Sequence, residues 1–176
     1  MSGPYCLEPD LVSIMSDLID ISAPRSPKKC VSPTTIDVKS IKSSYDDVRS
    51  DSSLTQWAIF KYNEDSIITC ALRGSSFDEF RAQFRPDERS FGYLRMMTGD
   101  EMSKRLKFVL ITWVGPEVGV IQRAKISIDK ALVKSVISNF ALELQLENEA
   151  DLDLDLFQQS LAKCGGANYG TGEKGI

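Results

Sequence analysis

The chain contains 176 residues, of which 42 % are hydrophobic, and carries a formal net charge of −4 at pH 7. This length can bury one apolar core but is too short for two ordinary domains. The acidic balance argues against a nucleic-acid-binding protein, because a phosphate backbone requires a strongly basic surface.

Histidine is absent from the chain, which removes the usual general base of hydrolases and the commonest zinc ligand. The sequence also contains no glycine-rich phosphate-binding loop. The composition therefore predicts a protein without catalytic activity, metal or cofactor.

The four cysteines are far apart in the sequence and form no C-x-x-C pair, so we expect reduced thiols, as in the cytosol. No stretch approaches the roughly 18 consecutive apolar residues of a transmembrane helix, and the N-terminus lacks the pattern of a signal peptide. We therefore expect a soluble cytoplasmic monomer without a membrane span. The cysteines are Cys6, Cys30, Cys70 and Cys164.

Residues 1–33 contain five of the seven prolines and are predicted to form a flexible N-terminal extension. Asp10 is a candidate cap for a short amphipathic helix within it. This helix can be interpreted as an arm that covers an apolar groove of the domain or as a partner-binding motif. Ser26, between Arg25 and Pro27, matches a proline-directed phosphorylation site. The apolar side of the predicted helix comprises Leu11, Ile14, Met15, Leu18 and Ile19.

The sequence pattern of a folded domain begins after this extension. Apolar residues at helical spacing predict a first helix over residues 35–50, with Thr34 or Thr35 as its N-cap. Two runs rich in β-branched and aromatic residues, 55–62 and 66–72, predict a β-hairpin.

A short helix and a second hairpin are predicted next. Ser76 and Glu79 form a capping box for a helix that ends before Pro86. The runs 90–97 and 105–114 predict the second hairpin. The short helix is expected to present Phe77, Phe80 and Phe84 on one face.

Residues 108–114 are apolar on both strand faces, which predicts an interior strand covered by helices on both sides. A long helix is predicted to start with Pro116 at its first position and to run to about residue 140. Lys125 falls in phase with the apolar side of this helix, which indicates a kink or a change of phase near Ser127. The residues predicted to be buried on this helix are Ile121, Ala124, Ile128, Leu132, Val136 and Phe140.

A short strand over 142–146 and a last helix over 148–163 follow, although the alternation at 152–156 also fits a strand. The glycine-rich tail, 165–176, is predicted to be flexible. The order of elements predicts an α/β sandwich over 34–164, with a mixed, mainly antiparallel five-stranded sheet between two helical layers. The last helix is expected to bury Leu154, Phe157 and Leu161.

Between residues 104 and 134 the chain has seven basic and two acidic residues, a net charge of +5. On a helical wheel, Arg123, Lys130 and Lys134 lie within about 60° of each other and opposite the apolar side, which predicts an exposed basic ridge. A local basic surface on an acidic protein suits an acidic polymer as partner. The alternative is that these basic residues only form the solvent-exposed face of a helix that packs on the core and bind no partner. The other charged residues of this segment are Lys104, Arg105, Lys107, Glu117, Lys125 and Asp129.

The segment TGDEMSKRLKFVLITWVG at 98–115 closely resembles coactosin-like proteins of the actin-depolymerising-factor homology family. The shorter segments IQRAK, DK, LVK and NFA, between residues 121 and 141, and GGANY at 165–169 are similar as well. The similarity covers about residues 35–170. It implies the fold of this family.

The resemblance also implies binding to the side of actin filaments, without strong severing or depolymerisation and with an opposing effect on filament capping. It assigns the actin contact to Lys107 of the S-K-R-x-K motif, supported by Lys104 and Arg105, and to the basic ridge of the long helix. In this family a lysine just before the GGANY segment, here Lys163, is associated with binding a lipoxygenase, so the resemblance implies such a partner. The alternative function is therefore a scaffold or chaperone for such an enzyme. Residues 1–33 depart from the family, whose typical members begin almost at the first helix.

Overall fold

The structure is a computed structural model that describes residues 33–99 and 104–165. The predicted extension, with Ser26, and the predicted tail lie outside these residues, apart from Pro33 and Gly165. The described residues form six strands, four α-helices and one short 3₁₀ helix. In chain order the elements are β1 (Thr35–Ile36), α1 (Val38–Arg49), β2 (Trp57–Tyr62), β3 (Ile67–Gly74), α2 (Phe77–Arg81), β4 (Arg89–Thr98), β5 (Arg105–Val114), α3 (Val120–Val136), β6 (Leu142–Leu146), the 3₁₀ helix (Glu149–Asp151) and α4 (Leu154–Gly165).

The six strands form one sheet in the order β1-β3-β2-β4-β5-β6. The outer pairs, β1 with β3 and β5 with β6, are parallel, and the inner pairs are antiparallel. The predicted α/β sandwich and both predicted hairpins are thus confirmed. The predicted count of five strands omits β1, which is too short to give a strand pattern in the sequence.

The start of the first helix differs from the prediction because β1 occupies its place. Thr35 and Ile36 pair with β3, so α1 begins only at Val38. Its N-cap is therefore Asp37 and not Thr34 or Thr35. The Asp37 Oδ1 atom accepts a hydrogen bond of 3.1 Å from the backbone N–H of Ser40.

Two apolar clusters cover the two faces of the sheet. One contains buried residues of α1 and α3, and the other contains buried residues of α2 and α4. Strand β5 lies between β4 and β6 and is buried on both faces from Val109 to Val114, as its apolar run predicts. None of the helices within the described ranges is long and apolar enough to cross a membrane.

The predicted capping box of α2 does not form. Ser76 is the N-cap residue, but its side chain makes no capping hydrogen bond, and its carbonyl oxygen instead accepts one from Trp57 Nε1 at 2.7 Å. Aromatic packing stabilises this five-residue helix: the ring of Phe80 lies 5.0 Å from that of Phe84 and 5.6 Å from that of Trp57. Phe77, Phe80 and Phe84 pack in one cluster, but the helix ends at Arg81, earlier than predicted, so Phe84 lies beyond it.

The predicted start of the long helix at Pro116 is wrong, because residues 115–118 form a turn. The N–H of Val118 donates to Gly115 O at 3.1 Å, and the N–H of Glu117 donates to Pro86 O at 2.9 Å. These bonds hold the turn against the chain before β4. The helix consequently begins at Val120, and it ends at Val136 instead of near residue 140.

The last helix begins at Leu154 and not at Asn148. Leu152 precedes the helix and is buried, whereas Leu154 is partly exposed. Leu152 therefore fills the core position that was predicted for Leu154. Phe157 and Leu161 are buried as predicted.

Candidate functional site

The tip of the β4–β5 hairpin presents basic side chains. Lys104 and Arg105 are exposed, and Lys107, two residues into β5, is half-buried. None of the three forms an ion pair with a carboxylate of residues 33–99 or 104–165. Met97 and Leu106, which face each other across the two strands, add an exposed apolar pair. We call these five residues the hairpin tip.

The basic ridge of α3 is not the open surface that the sequence predicts. Arg123 forms an ion pair with Glu147 at 2.7 Å, and Lys130 and Lys134 pair with Glu143 at 2.9 and 2.7 Å. These glutamates lie on and just after β6, so the ridge faces the edge of the sheet instead of lying opposite a buried stripe.

Electrostatics at Glu143 reflect this pairing. The hydrogen bond from Lys134 lowers the pKa of Glu143, and Lys130 lowers it further, whereas partial burial opposes them. The carboxylate therefore stays ionised at neutral pH and neutralises part of the ridge. These ion pairs link the ridge of α3 to β6 and the residue that follows it.

The apolar residues at the start of α3 face solvent, which contradicts their predicted burial. Val120, Ile121 and Ile128 are 83 %, 70 % and 68 % exposed, and Ala124 between them is exposed as well. We call these four residues the apolar stripe. In the second half of the helix the prediction is closer, because Leu132 and Val136 are half-buried.

The buried side of α3 contains a charged residue. The fully buried residues are Ile126, Asp129 and Val133, and Asp129 is only 1 % exposed. Asp129 accepts hydrogen bonds from the guanidinium of Arg89 on β4 and from the hydroxyl of Tyr62 on β2, the latter at 2.9 Å.

The Arg89 guanidinium also lies 3.9 Å above the centre of the Tyr62 ring and donates to the backbone oxygen of Gln122 at 3.3 Å. Burial raises the pKa of Tyr62 far above its ordinary value, so its hydroxyl stays a hydrogen-bond donor. Arg89, Asp129 and Tyr62 form the buried ion-pair cluster. Sequence reasoning missed it, although Asp129 lies in helical phase with Ile126 and Val133.

A cleft of about 350 Å³ lies beside this cluster and is lined by two cations, Arg89 and Lys61. Lys61 forms an ion pair with Glu88 at 2.6 Å. Among the described residues no group of histidine, cysteine, aspartate or glutamate side chains could hold a metal ion. Lys163 lies in the last turn of α4 and is exposed, on the opposite face of the sheet from α3.

The apolar stripe begins at the end of the domain that is opposite the hairpin tip. Strand β5 runs for ten residues away from the tip, which is roughly 30 Å. The first turns of α3 lie beside its far end, where Arg123 donates to Gly115 O at 3.1 Å. The domain thus presents two separate surfaces of different chemistry.

Residues 34–162 match the family described as cofilin/tropomyosin-type actin-binding proteins. The chain belongs to this family. The predicted family resemblance is confirmed, and membership in a family of actin-binding proteins supports the prediction that the protein is not an enzyme.

Individual relatives agree with this assignment. The human coactosin-like protein is 43 % identical over 136 residues, which are 77 % of this chain and 95 % of that protein. One of its crystal structures superposes with a TM-score of 0.72 at 41 % identity, and the match covers 74 % of this chain and 99 % of that chain. Coactosin of Dictyostelium discoideum is 40 % identical over 131 residues, 73 % of this chain and 90 % of that protein. Mouse coactosin, an actin filament binding protein, has a solution structure with a TM-score of 0.65 at 42 % identity, covering 77 % and 95 % of the two chains.

Proposed function

We propose that the protein binds the side of actin filaments and acts in the cytoplasmic actin cytoskeleton. It does so without strong severing or depolymerising activity, and it opposes filament capping. Membership in an actin-binding family and similarity to coactosins, among them an actin filament binding protein of mouse, support this proposal.

The observation that carries the proposal is the apolar stripe on α3. Contiguous exposed apolar side chains on a small domain mark an interaction surface, because leaving them in water costs free energy. An apolar helix face is also suited to binding in a groove of a partner protein. The stripe is therefore assigned to the main contact with actin.

The hairpin tip supplies the second contact. Its cations attract acidic side chains of actin, and each exposed pair contributes about 0.2 to 1 kcal/mol. Binding should therefore be of modest affinity and weaken with salt. Because the two surfaces are roughly 20–30 Å apart, a filament, with neighbouring subunits in register, can engage both.

Cosedimentation with actin filaments tests the proposal. Replacing Ile121 and Ile128 with serine should raise the dissociation constant at least tenfold, since burying an isoleucine at an interface is worth about 1.5–3 kcal/mol. The melting temperature should not fall, because both side chains are exposed. The matched control is Leu54→Ser, a change of an 87 % exposed apolar residue in the loop after α1, which should leave binding unchanged.

Equal binding of the stripe variant and the wild type would remove α3 from the contact. Failure of the wild-type protein to sediment with filaments would overturn the proposed function as a whole.

A scaffold or chaperone function for a lipoxygenase-type enzyme is the second candidate. It is supported by the exposure of Lys163 at the end of α4. Lys163→Ala should weaken capture of such an enzyme while leaving filament binding unchanged, and the reverse result would assign Lys163 to the actin contact.

A further inference from the structure

The first half of α3 has its polarity reversed relative to an ordinary amphipathic helix. From Val120 to Lys130, the buried side chains are Ile126 and Asp129, whereas the four apolar residues of the stripe face solvent. With 100° per residue, the stripe lies on nearly the opposite side of the helix from the buried residues.

Apolar burial alone does not decide the rotation of α3. A helix turned about half a turn would place Ile121, Ala124 and Ile128 against the sheet, as the sequence pattern predicts, but it would expose Ile126 and Val133, which are buried in the structure. An interaction besides apolar burial is therefore needed to select the observed rotation.

The buried ion-pair cluster is that interaction. A carboxylate buried without a partner is strongly unfavourable, so Asp129 can enter the core only where Arg89 and Tyr62 meet it. Both partners lie on strands of the sheet, on β4 and β2, and their positions do not move with the helix. Arg89 also donates a hydrogen bond to the backbone oxygen of Gln122, in the first turn of α3. A single rotation of α3 satisfies all these bonds.

We propose that Asp129, Arg89 and Tyr62 are positioning residues that fix the rotation of α3 and thereby keep the apolar stripe on the surface. They do not contact the partner themselves. Buried ion pairs add little net stability compared with apolar side chains, but in some proteins they select one arrangement over its alternatives. The link from this rotation to filament binding rests on the function proposed above.

The test replaces Arg89 by methionine in the full chain, which leaves the buried Asp129 carboxylate without its cation. We expect the helix to turn so that Asp129 reaches water, and filament binding to weaken at least tenfold. A reporter thiol, Ala124→Cys with the four native cysteines changed to serine, measures the rotation directly. Its rate of alkylation should fall at least tenfold in the Arg89→Met variant, because the stripe becomes buried.

The alkylation rate separates positioning from ordinary stabilisation. A loosened or destabilised helix would leave an exposed thiol as reactive as before or more so, and only burial slows the reaction. A folded Arg89→Met variant with the wild-type alkylation rate would overturn the proposal.

The variant Asp129→Asn covers the case in which Arg89→Met does not fold. Removing only the charge weakens the preference for one rotation, so alkylation should slow measurably, and unchanged alkylation would overturn the proposal here too. Slow alkylation together with undiminished filament binding would uphold the positioning role and overturn the assignment of the stripe to actin.

Discussion

Lys107 shows how a single side chain can carry charge at the edge of an apolar sheet. It lies opposite Met96 near the start of β5, and β5 becomes buried only from Val109 onward. The side chain therefore contributes a cation at the hairpin tip without belonging to either core cluster. Its role can be tested with little effect on the fold.

Lys107→Ala should weaken filament binding by up to about fivefold, as expected for loss of one exposed ion pair worth about 0.2–1 kcal/mol. The melting temperature should hardly change, because the substitution lies outside the core. Cosedimentation and thermal unfolding measure the two effects. Lys42→Ala, at a 61 % exposed lysine on α1 that pairs with Asp46, is the matched control. If both variants sediment like the wild type, Lys107 is not in the contact.

Glu143 decides whether the basic ridge is available to a partner. Glu143→Gln removes the carboxylate that holds Lys130 and Lys134, so both cations become available to acidic side chains of a filament. Binding should become about two- to fivefold tighter at low salt, and the gain should vanish at high salt. Glu149→Gln, which affects only a loose pair with Arg81 at 3.6 Å, is the control. Unchanged binding would show that the ridge serves only to hold α3 against β6.

At the scale of elements, the sequence predicts the hairpins and the buried strand well, because alternation and apolar runs report strand burial directly. It fails on α3, since the rule that apolar residues face the core does not hold for a helix whose apolar stripe faces solvent. The partner of Asp129 lies 40 residues away on β4, and local spacing cannot reveal such a contact. Strand β1 is missed because two residues are too few to show a period.

The turn before α3 requires a glycine at position 115. A Cβ atom on Gly115 would overlap the carbonyl oxygen of Pro86, so the turn or the chain before β4 would have to move. Gly115→Ala should destabilise the domain by about 1–3 kcal/mol, in the range of overpacking substitutions. Urea unfolding measures the effect.

Gly119 provides the matched control for this substitution. It is the N-cap residue of α3, and nothing lies within 4 Å of the Cβ that alanine would add there. Gly119→Ala should therefore cost less than about 1 kcal/mol, mainly from the weaker N-cap. Equal destabilisation by the two variants would show that steric contact with Pro86 is not the cause.

At the scale of the whole molecule, the described residues hold the complete sheet order from β1 to β6 and a helical layer on each face. The two proposed contact surfaces begin at opposite ends of this arrangement, and both come from the segment between residues 97 and 128. The charge excess of +5 over residues 104–134 overstates the accessible basic surface, because three of its cations bind glutamates on or next to β6.

The N-terminal extension is proposed to be dispensable for folding. Strand β1 starts at Thr35, whose N–H donates to Ser66 O at 3.3 Å, so we expect deletion of residues 1–33 to leave the sheet intact. The deleted sequence contains only one short set of apolar residues at helical spacing, which is too little for a core of its own. Its four acidic and three basic residues nearly cancel in charge, so attraction to an acidic filament should change little.

The truncated protein should melt within about 3 °C of the full chain, equivalent to about 1 kcal/mol, and bind filaments equally or more tightly. Melting and cosedimentation together decide the matter: an unfolded product would show that the segment belongs to the core, and a folded product that no longer binds would place it in the actin contact.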